Sequence, residues 1–468
     1  MLRLFLKNNE RPLCRADDDS SILSRRLGDG ELCGSVLTND PADVCALHFG
    51  RPGASSRNVL ERFDAIIVGG GVAGSTAARI LARGGWSVAV VEKSSFPRRK
   101  VCGEYLSSTN LDLFERLGIL DDFLERAGPE INRVGLFDGS TVVTSPMPRP
   151  RRAQFLWGRA LRREILDPLL LERAVQAGAQ VMQPCSVVST ARSRDAFVSK
   201  IVSKPDNDIS EIESRVVIAA HGSWEPGGLP TQSPHQHPKD SDLFGFKAHF
   251  ENASLPSNLM PLLAFPGGYG GMVNCGDRLV SLSFCIRRDV LETLRRRSPR
   301  AKAGEVSFEH ILDSCTGARE TLSRAVVKDG WVSAGPIRPG IRPRRRDGIY
   351  CVGNAAGEAH PLIAEGISIA IQSAWLLAER LTKLRPADLT EADLRAVGDD
   401  YSWAWLKAFG LRIKAADFFA RLALTGRATH TVFRSITHTF PQILTLGARL
   451  SGKVNHLARL SPKTTFGG

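Results

Sequence analysis

Three glycines with the spacing Gly69-x-Gly71-x-x-Gly74 stand between an apolar, strand-like run and a stretch of helix formers. In this spacing the first glycine permits a tight turn, the second lets the backbone approach a pyrophosphate, and the third lets the helix pack closely on the strand. Exposed amides at the helix start then favour phosphate oxygens. Glu92 follows about 20 residues later, where a carboxylate accepts hydrogen bonds from a ribose diol. These residues predict a dinucleotide site.

The elements that must position these residues form a βαβ unit. Phe63 to Val68 is a short apolar run with β-branched residues, Val72 to Arg83 carries helix formers, and Trp86 to Val91 is a second apolar run. Strand, glycine-rich turn, helix and strand within about 30 residues define such a unit. Because Glu92 closes the second strand, the glycine pattern predicts a Rossmann-like fold rather than a chance turn.

The rest of the chain continues with strands and then helices, and no internal repeat interrupts it. We predict alternating strands over 242–288, helices near 291–297 and 305–315, a buried strand over 349–353, a long helix over 361–384, and mostly helix from 393 onward.

Three segments in this order carry a family resemblance: residues 63–75 with 91–93, residues 96–104, and residues 350–357 with 360–362 and 365–367. They resemble the flavoprotein superfamily that contains para-hydroxybenzoate hydroxylase, the ubiquinone-pathway hydroxylases, geranylgeranyl reductases and flavin-dependent halogenases. Residues 96–104 are similar to the loop after the second strand in geranylgeranyl reductases. The resemblance spans about 63–384.

The resemblance implies an α/β protein with a Rossmann-like, three-layer ββα domain that binds FAD, an antiparallel-sheet substrate domain and a helical C-terminal region. We expect four parts: a leader over 1–60 that is disordered or reflects a mistaken start site, a discontinuous FAD-binding domain over 61–225 and 325–385, a substrate domain over 226–324, and the helical region over 386–468.

The second flavin motif has a physical interpretation of its own. Gly353 ends a strand, and its small size lets the ribityl chain pass closely. The helix that we expect to start near Pro361 or Ala364 points its amides at the flavin's pyrimidine edge, where reduced flavin is negative. The family usually has Asp where Asn354 stands; Asn still accepts the ribityl hydrogen bond, without charge assistance.

The residues expected to contact FAD are Gly69, Gly71, Val72, Ala73, Gly74, Glu92, Lys93, Lys100, Arg163, Gly353, Asn354, Gly357, Gly366 and Ile367.

Four features have two interpretations each. Arg163 and Asp167 resemble the pair that opens a family helix and reaches the cofactor, but their spacing also fits a surface ion pair. His221 replaces the Asp of a middle motif and is either cofactor-related or a turn histidine. Cys102 either faces the flavin as a catalytic thiol or is buried and inert. Residues 267–271 form either a strand that crosses near the substrate or a plain hairpin.

The formal net charge of +13 restricts the partners. Basic chains bind nucleic acid, phosphate-rich cofactors or anionic lipid. The sequence carries neither zinc-ligand spacing, nor an aromatic RNA-binding signature, nor a basic helix followed by heptads, so we expect no nucleic-acid partner. No apolar run approaches the roughly 18 residues of a membrane-spanning helix.

The C-terminal region is basic and aromatic. Beyond Tyr401 the only acid is Asp417, while lysine and arginine residues are interleaved with aromatic residues such as Trp403 and Phe440. Such helices can lie in a lipid interface, where each cation near anionic lipid adds roughly 1 kcal/mol. Helices packed over the substrate domain, with a solvated basic side, are the alternative. We favour peripheral membrane contact, which suits a lipophilic substrate.

Nine cysteines are scattered along the chain without a C-x-x-C pair. This pattern is neither a disulfide framework nor a zinc site, so we expect no metal and a reducing cytoplasm. NAD(P)H is the expected reductant, and since a second G-x-G-x-x-G is missing, it has no Rossmann domain of its own. Arg98, Arg99, Lys100 and the cluster over 342–346 either receive its phosphates or form a solvated basic face.

The sequence therefore predicts an FAD-dependent oxidoreductase. We rank an NAD(P)H-dependent monooxygenase first, because hydroxylation is frequent in the superfamily, with a lipophilic isoprenoid, polyketide-like or quinone-like substrate. The loop over 96–104 favours the alternative, a geranylgeranyl-reductase-like enzyme that saturates alkene bonds. From another class, a non-catalytic flavin-binding or membrane-attached interaction protein fits the replaced acids at Asn354 and His221.

Overall fold

The computed structural model of the protein describes residues 60–149, 155–223, 227–232, 237–424 and 439–451, with the side chains of 418, 419 and 421–424 left out. The chain divides into two units, residues 1–48 and 49–468, and every described residue belongs to the second. The predicted leader therefore lies outside the described residues except for Leu60. The same holds for 425–438 and 452–468 of the predicted helical region.

The described residues form strands and helices in the following order. The strands are β1 (Glu61–Val68), β2 (Val88–Val91), β3 (Tyr105–Leu106), β4 (Arg133–Asp138), β5 (Thr141–Pro146), β6 (Arg159–Ala160), β7 (Gln180–Met182), β8 (Cys185–Ser193), β9 (Ala196–Ser203), β10 (Ile209–Ala219), β11 (Leu243–Glu251), β12 (Leu259–Phe265), β13 (Gly268–Asn274), β14 (Val280–Arg287), β15 (Val326–Val327), β16 (Val332–Ile337), β17 (Gly340–Ile341), β18 (Arg345–Arg346), β19 (Ile349–Cys351) and β20 (Gly357–Glu358). The helices are α1 (Val72–Arg83), α2 (Leu111–Leu117), α3 (Leu120–Arg126), α4 (Arg163–Gln176), α5 (Arg288–Arg297), α6 (Ala303–Ser314), α7 (Thr316–Leu322), α8 (Gly366–Leu381), α9 (Glu391–Trp405), α10 (Leu411–Leu424) and α11 (Gln442–Leu450).

The first sheet has a parallel centre in the order β19-β10-β1-β2-β7. β1 and β2 end in the fully buried runs Ala65–Ile67 and Val88–Val90, as expected for parallel strands that are covered on both faces. Helix α1 packs against both α4 and α8, while β9 and β8 extend the sheet from β10 in antiparallel register. This is the Rossmann-like arrangement that the sequence predicts.

The second sheet runs β15-β11-β14-β13-β12-β4-β5, with β16 paired to β11. All its pairs are antiparallel except β12 with β4, whose parallel register joins Leu262 to Leu136. The sheet thus includes segments 133–146 and 326–337, which the sequence-based prediction assigns to the FAD-binding domain. The reason is that these strands join the sheet through partners distant in sequence, which local sequence patterns do not reveal.

The C-terminal helices belong to two different cores. α9 continues through a π-helical turn, Leu406–Gly410, into α10, and Tyr401, Trp405 and Phe409 are fully buried in the core of the first sheet. α11 packs on β4 and β5 of the second sheet. Within the described part of the chain, no helix is both long and apolar enough to span a membrane.

The long helix predicted from Pro361 begins later. Pro361–Ile363 forms a separate 3-10 turn, and Ala364 adopts a left-handed conformation with φ of 51°. A left-handed residue cannot continue a right-handed helix. Helix α8 therefore starts at Gly366, and this shifts the amides that face the site by several residues.

Candidate functional site

The glycine turn after β1 has the geometry that its spacing predicts. Gly69 has φ of +108°, and a Cβ placed there would lie 2.7 Å from the carbonyl oxygen of Ala220. A Cβ at Gly74 would overlap the carbonyl oxygen of Gly69. Both positions therefore require glycine, the first for the turn and the second for close packing of α1 on β1.

Glu92 is held in place by backbone amides at the end of β2. Its Oε2 accepts a hydrogen bond from the amide of Gly70 at 2.8 Å, and its Oε1 accepts one from the amide of Ser94 at 2.9 Å. Arg98 Nη2 lies 3.4 Å from Oε2. A carboxylate has about four lone-pair sites, so the fixed group can still accept hydrogen bonds from a ribose diol.

Two adjoining cavities lie along the edge of the first sheet, with volumes of about 240 Å³ and about 480 Å³. The first is bordered by the starts of both α1 and α8, through Gly71 and Gly366. The second is bordered by Glu92 and Lys93. Gly71 and Lys100 line both cavities. The two helix starts thus face the same space, and this space continues toward the ribose-binding acid as a dinucleotide requires.

The predicted contact residues divide between these cavities. Lining the first cavity are Gly71, Val72, Ala73, Lys100, Arg163, Gly353, Asn354, Gly366 and Ile367. Lining the second are Gly69, Gly71, Glu92, Lys93, Lys100 and Asn354. Gly74 and Gly357 line neither cavity: Gly74 packs in the turn, and a Cβ at Gly357 would lie 2.5 Å from the indole of Trp405. Gly357 thus packs against α9, and its contact with FAD stays a prediction.

A cluster of cations borders the first cavity. Arg163 donates from Nε and Nη2 to the carboxylate of Asp167 at 2.6 and 2.8 Å, and both side chains are buried, so the surface ion pair is not what forms. Burial, together with Arg163 and Arg98, lowers the pKa of Lys100 to about 8. Among the described residues, no acid pairs with the Lys100 ammonium. Neighbouring cations with too few acids favour a diphosphate.

The open backbone beside these cations also fits a ligand. A Cβ at Gly222 or Gly366 would meet no atom within 4 Å, and one at Gly71 would meet only two arginine side-chain ends at 3.9 Å. Such glycines leave room for close approach of a ligand to the backbone. Together with the cations and Glu92, they suit the flavin, diphosphate and ribose parts of FAD.

His221 lines the second cavity and forms a hydrogen bond between its Nε2 and Thr231 Oγ1 at 2.9 Å. Burial lowers the pKa of His221 to about 4, so the ring is neutral at physiological pH. His221 therefore belongs to a turn and also lines the cavity, but it supplies no charge.

Sequence reasoning missed a buried ionic cluster next to Cys102. Glu104, with φ of 61°, accepts hydrogen bonds from the Arg163 amide at 3.1 Å, from His249 Nε2 at 2.9 Å and from Lys247 Nζ. Burial by itself raises the pKa of Glu104, but His249 and Lys247 outweigh it and lower the value to about 2. The available signal was the pair of basic residues at alternate positions of an otherwise apolar strand, β11.

The second sheet supplies a largely apolar wall to the first cavity, through residues that include Met260, Leu262 and Val273. Cys102 lines the same cavity. Strand β13 forms a hairpin with β12 and also borders the cavity, so both interpretations of 267–271 hold.

Tyr269 and His360 add a polar group to this wall that sequence reasoning also missed. Their ring centroids are 5.0 Å apart. Tyr269 also contacts the Cys285 thiol, and burial raises the pKa of Tyr269 well above its ordinary value. The phenol therefore stays protonated and can donate a hydrogen bond into the cavity.

A fold with a glycine turn, a ribose-binding acid and a second helix start over one cavity is that of a dinucleotide-dependent oxidoreductase. The family described as "FAD binding domain" matches residues 62–388, and the chain belongs to this family. It is a flavin-dependent oxidoreductase with FAD as cofactor, as the resemblance in the sequence predicts.

Among relatives of known name, one is described as a receptor and two as reductases. The chain is 24% identical over 374 residues to conditioned medium factor receptor 1 of Dictyostelium discoideum, covering 74% of this chain and 68% of the relative. It is 26% identical to digeranylgeranylglycerophospholipid reductase 1 of Methanothermobacter thermautotrophicus, with 72% and 80% covered. It is 27% identical to menaquinone reductase of Mycobacterium tuberculosis, with 69% and 78% covered.

Among solved structures, the flavin-dependent brominase Bmp2, as a triple mutant, superimposes with a TM-score of 0.66 at 18% identity. The match covers 83% of this chain and 94% of the brominase. This likeness establishes the fold.

Proposed function

We propose that the protein is an FAD-dependent reductase that saturates a carbon–carbon double bond of a lipophilic isoprenoid or a prenylated quinone, with NAD(P)H as reductant. The observation that carries this proposal is a cavity with an apolar wall from the second sheet that is also bordered by the starts of α1 and α8. Two relatives, a digeranylgeranylglycerophospholipid reductase and a menaquinone reductase, support reduction. Reduction therefore replaces hydroxylation as the first choice.

The lining of the first cavity suits an uncharged hydrocarbon chain. Val101, Met260, Leu262 and Leu362 offer aliphatic surface. Burying apolar surface stabilises binding by roughly 25 cal/mol per Å². Methionine side chains adapt to irregular shapes, which suits a flexible polyprenyl segment.

Saturation adds a hydride to one carbon and a proton to its neighbour. Flavin that is bound and has been reduced by NAD(P)H would supply the hydride. The protein must supply the proton, and two buried phenols that retain their protons border the cavity, Tyr105 and Tyr269. We assign Tyr269 as the proton donor, with His360 and Cys285 fixing its ring.

Hydroxylation of the same class of substrate is the second candidate. It is favoured by the enclosed, apolar wall, because exclusion of water also protects oxygen chemistry. The two reactions differ in their need for oxygen and in the product formed.

Incubation of the FAD-loaded protein with NADH or NADPH and a panel of prenylated lipids, under nitrogen and under air, distinguishes them. We expect turnover under nitrogen and a product that has gained two hydrogens, measured by mass spectrometry. Turnover that requires air and inserts an oxygen atom would establish hydroxylation instead. Lipids without a double bond serve as the control and should give no turnover.

We further propose peripheral contact with anionic membranes through α9 and α10. Trp403, Leu406 and Leu411 are exposed by 62%, 41% and 80%, while Lys407 stands among them and Lys414 follows at helical spacing. The Lys407 ammonium lies 4.7 Å from the Trp403 ring centroid. Aromatic, aliphatic and cationic side chains on one helix face are typical of an interfacial surface.

The position of this surface supports the substrate class. Helix α10 packs against the turn Pro361–Ile363, and Pro361 and Leu362 line the first cavity. A lipid could therefore pass from the membrane to the cavity over a short distance. The cytoplasm is the proposed compartment, in keeping with free thiols at every described cysteine.

A further inference from the structure

Two positions where the resembling family usually carries aspartate are neutral in this protein. Asn354 bears an amide, and His221 is neutral because burial lowers its pKa to about 4. Both residues line the second cavity. The lining of the second cavity therefore lacks two carboxylates that would otherwise accept hydrogen bonds from a dinucleotide.

A nearby acid, Glu358, lies beside both substituted positions. It lines both cavities, and its side chain is only 10% exposed. Its Oε2 accepts a hydrogen bond from Ser223 Oγ at 2.7 Å, and its Oε1 accepts one from Asn354 Nδ2 at 3.1 Å. Ser223 follows His221 by two residues. One carboxylate thus contacts both of the segments that lack their usual acid.

The contact with Glu358 fixes the orientation of the Asn354 amide. An ionised carboxylate only accepts hydrogen bonds, so the atom facing it must be the amide nitrogen. The planar amide then directs Oδ1 away from Glu358. Among the described residues, no donor reaches this oxygen, and Asn354 borders both cavities.

The ion pair with Arg342 does not account for Glu358. Arg342 Nη2 is 3.4 Å from the carboxylate, but the same guanidinium also donates to the carbonyl oxygens of Arg338 at 2.7 Å and Asn354 at 3.2 Å. Arg342 is therefore held without Glu358. Burial raises the pKa of Glu358, so the charge is costly to the fold at this place.

We propose that Glu358 is a positioning residue that takes over from the missing aspartates: it turns Asn354 so that Oδ1 accepts a hydrogen bond from a hydroxyl of the FAD polyol chain, and it provides the negative charge of the site. This inference rests on FAD as the cofactor of the proposed function and is independent of the reaction catalysed.

A reciprocal exchange of charge tests the proposal. FAD is titrated into the flavin-free full chain, and the dissociation constant is measured by flavin fluorescence for Glu358→Gln, Asn354→Asp and the double variant. We expect Glu358→Gln to bind FAD about tenfold more weakly, because an amide can no longer hold the Asn354 nitrogen with a charged acceptor. The double variant should return to within about threefold of the wild type, since the carboxylate introduced by Asn354→Asp then supplies the usual acid.

Asn354→Asp alone should bind FAD no more tightly than the wild type, because two carboxylates would stand where a 3.1 Å hydrogen bond now lies. Tighter binding by this single variant would overturn the proposal, and this arm does not depend on the folding of Glu358→Gln. Wild-type affinity in Glu358→Gln would also overturn it. So would a double variant as weak as Glu358→Gln, since Glu358 would then act only on Arg342 or on packing.

Glu391→Gln is the matched control. Glu391 pairs with Arg192 and Arg345 outside both cavities, so FAD affinity should not change. Thermal unfolding of every variant establishes that it is folded. A wild-type chain that binds no FAD would contradict the cofactor assignment itself, an outcome that differs from each of those above.

Discussion

The carboxylate of Glu104 accepts a hydrogen bond from His249 Nε2 at 2.9 Å, with both side chains fully buried. This bond ties the loop that carries Cys102 to strand β11 of the second sheet. Lys247 occupies the other carboxylate oxygen. The loop that lines the first cavity and the second sheet are thus joined by a charged contact in the interior.

Breaking this contact should destabilise the protein. We expect Glu104→Gln to lower the free energy of unfolding by about 3–5 kcal/mol, because it leaves the Lys247 charge buried without its partner. Adding Lys247→Met should recover part of the loss. Urea unfolding followed by circular dichroism measures both. Glu292→Gln, which removes a half-exposed pair with Arg288, should cost less than about 1 kcal/mol; an equal loss there would contradict the prediction.

The same residue predicts acid sensitivity. The pKa of Glu104 is about 2 in the folded protein against an ordinary 4.5. A depressed folded pKa means that the unfolded chain binds the proton first, so its stabilisation is present above pH 4.5 and is lost as the pH falls through about 2. Urea midpoints measured across this range should fall less steeply in Glu104→Gln than in the wild type. Parallel slopes in the two proteins would exclude this role.

Replacing glycine by alanine should affect folding and FAD binding very differently at three positions. Gly74→Ala should abolish FAD binding and destabilise the fold, because its Cβ would overlap the carbonyl of Gly69. Gly366→Ala meets no protein atom within 4 Å, so it should fold normally but bind FAD more weakly, since the methyl enters the first cavity. Gly447→Ala in α11 is equally unhindered and should leave FAD binding unchanged while stabilising the helix by up to about 1 kcal/mol. Fluorescence titration and thermal unfolding separate the three.

The pKa of Lys100 predicts that FAD binding weakens at alkaline pH. Its pKa is lowered to about 8, first by burial and then by Arg163 and Arg98. As the pH rises through this value the free protein loses the Lys100 charge, so FAD affinity should decrease. Lys100→Met should bind FAD about tenfold more weakly at neutral pH and show a flatter pH profile. Unchanged affinity in this variant would mean that the diphosphate lies elsewhere.

Tyr269 predicts a selective loss of the chemical step. Tyr269→Phe keeps the ring against His360 but removes the proton, so kcat should fall by about 10²–10⁴ while KM changes little. Tyr350→Phe is the control, because its hydroxyl donates to the carbonyl of Leu394 at 2.5 Å outside the cavities. It should lose about 1 kcal/mol of stability and no activity. Equal kcat in wild type and Tyr269→Phe would transfer the proton donor's role to another group.

The exposed strip on α9 and α10 predicts binding to anionic vesicles. Trp403→Ala and Lys407→Gln should each lower the fraction that cosediments with phosphatidylserine vesicles, and high salt should lower it further. Ile209→Ala removes an equally exposed apolar side chain, 62% accessible on β10, and should have no effect. A wild-type chain that stays in the supernatant would contradict membrane contact.

The sequence predicts those features of the structure that are determined by residues close together in the chain. The turn around Gly69 and Gly74 is dictated by neighbours within a few residues, and it formed as expected. The start of α8 was placed too early, because the left-handed Ala364 leaves no sequence signature. Glu104 and His249 are 145 residues apart, so only the assembled sheets reveal their contact.

The motif around Asn354 illustrates the same limit. Its departure from the family pattern is visible in the sequence, whereas the nearby acid that contacts it is not marked by any spacing rule. Glu358 stands four residues further on but reaches Asn354 only because the chain bends through a 3-10 turn at Gly353–Ala355. Local sequence thus identifies the loss of a charge, and three-dimensional structure identifies the neighbouring charge.

The indole of Trp405 occupies the space that any side chain at residue 357 would need. Helix α9 therefore packs behind the loop that follows β19, although this helix lies beyond the segment that the family matches. Exchange of that loop between related proteins should succeed only when helix α9 is exchanged with it. Chains shortened before Trp405 should lose the cofactor, even though every residue that we expect to contact FAD is retained.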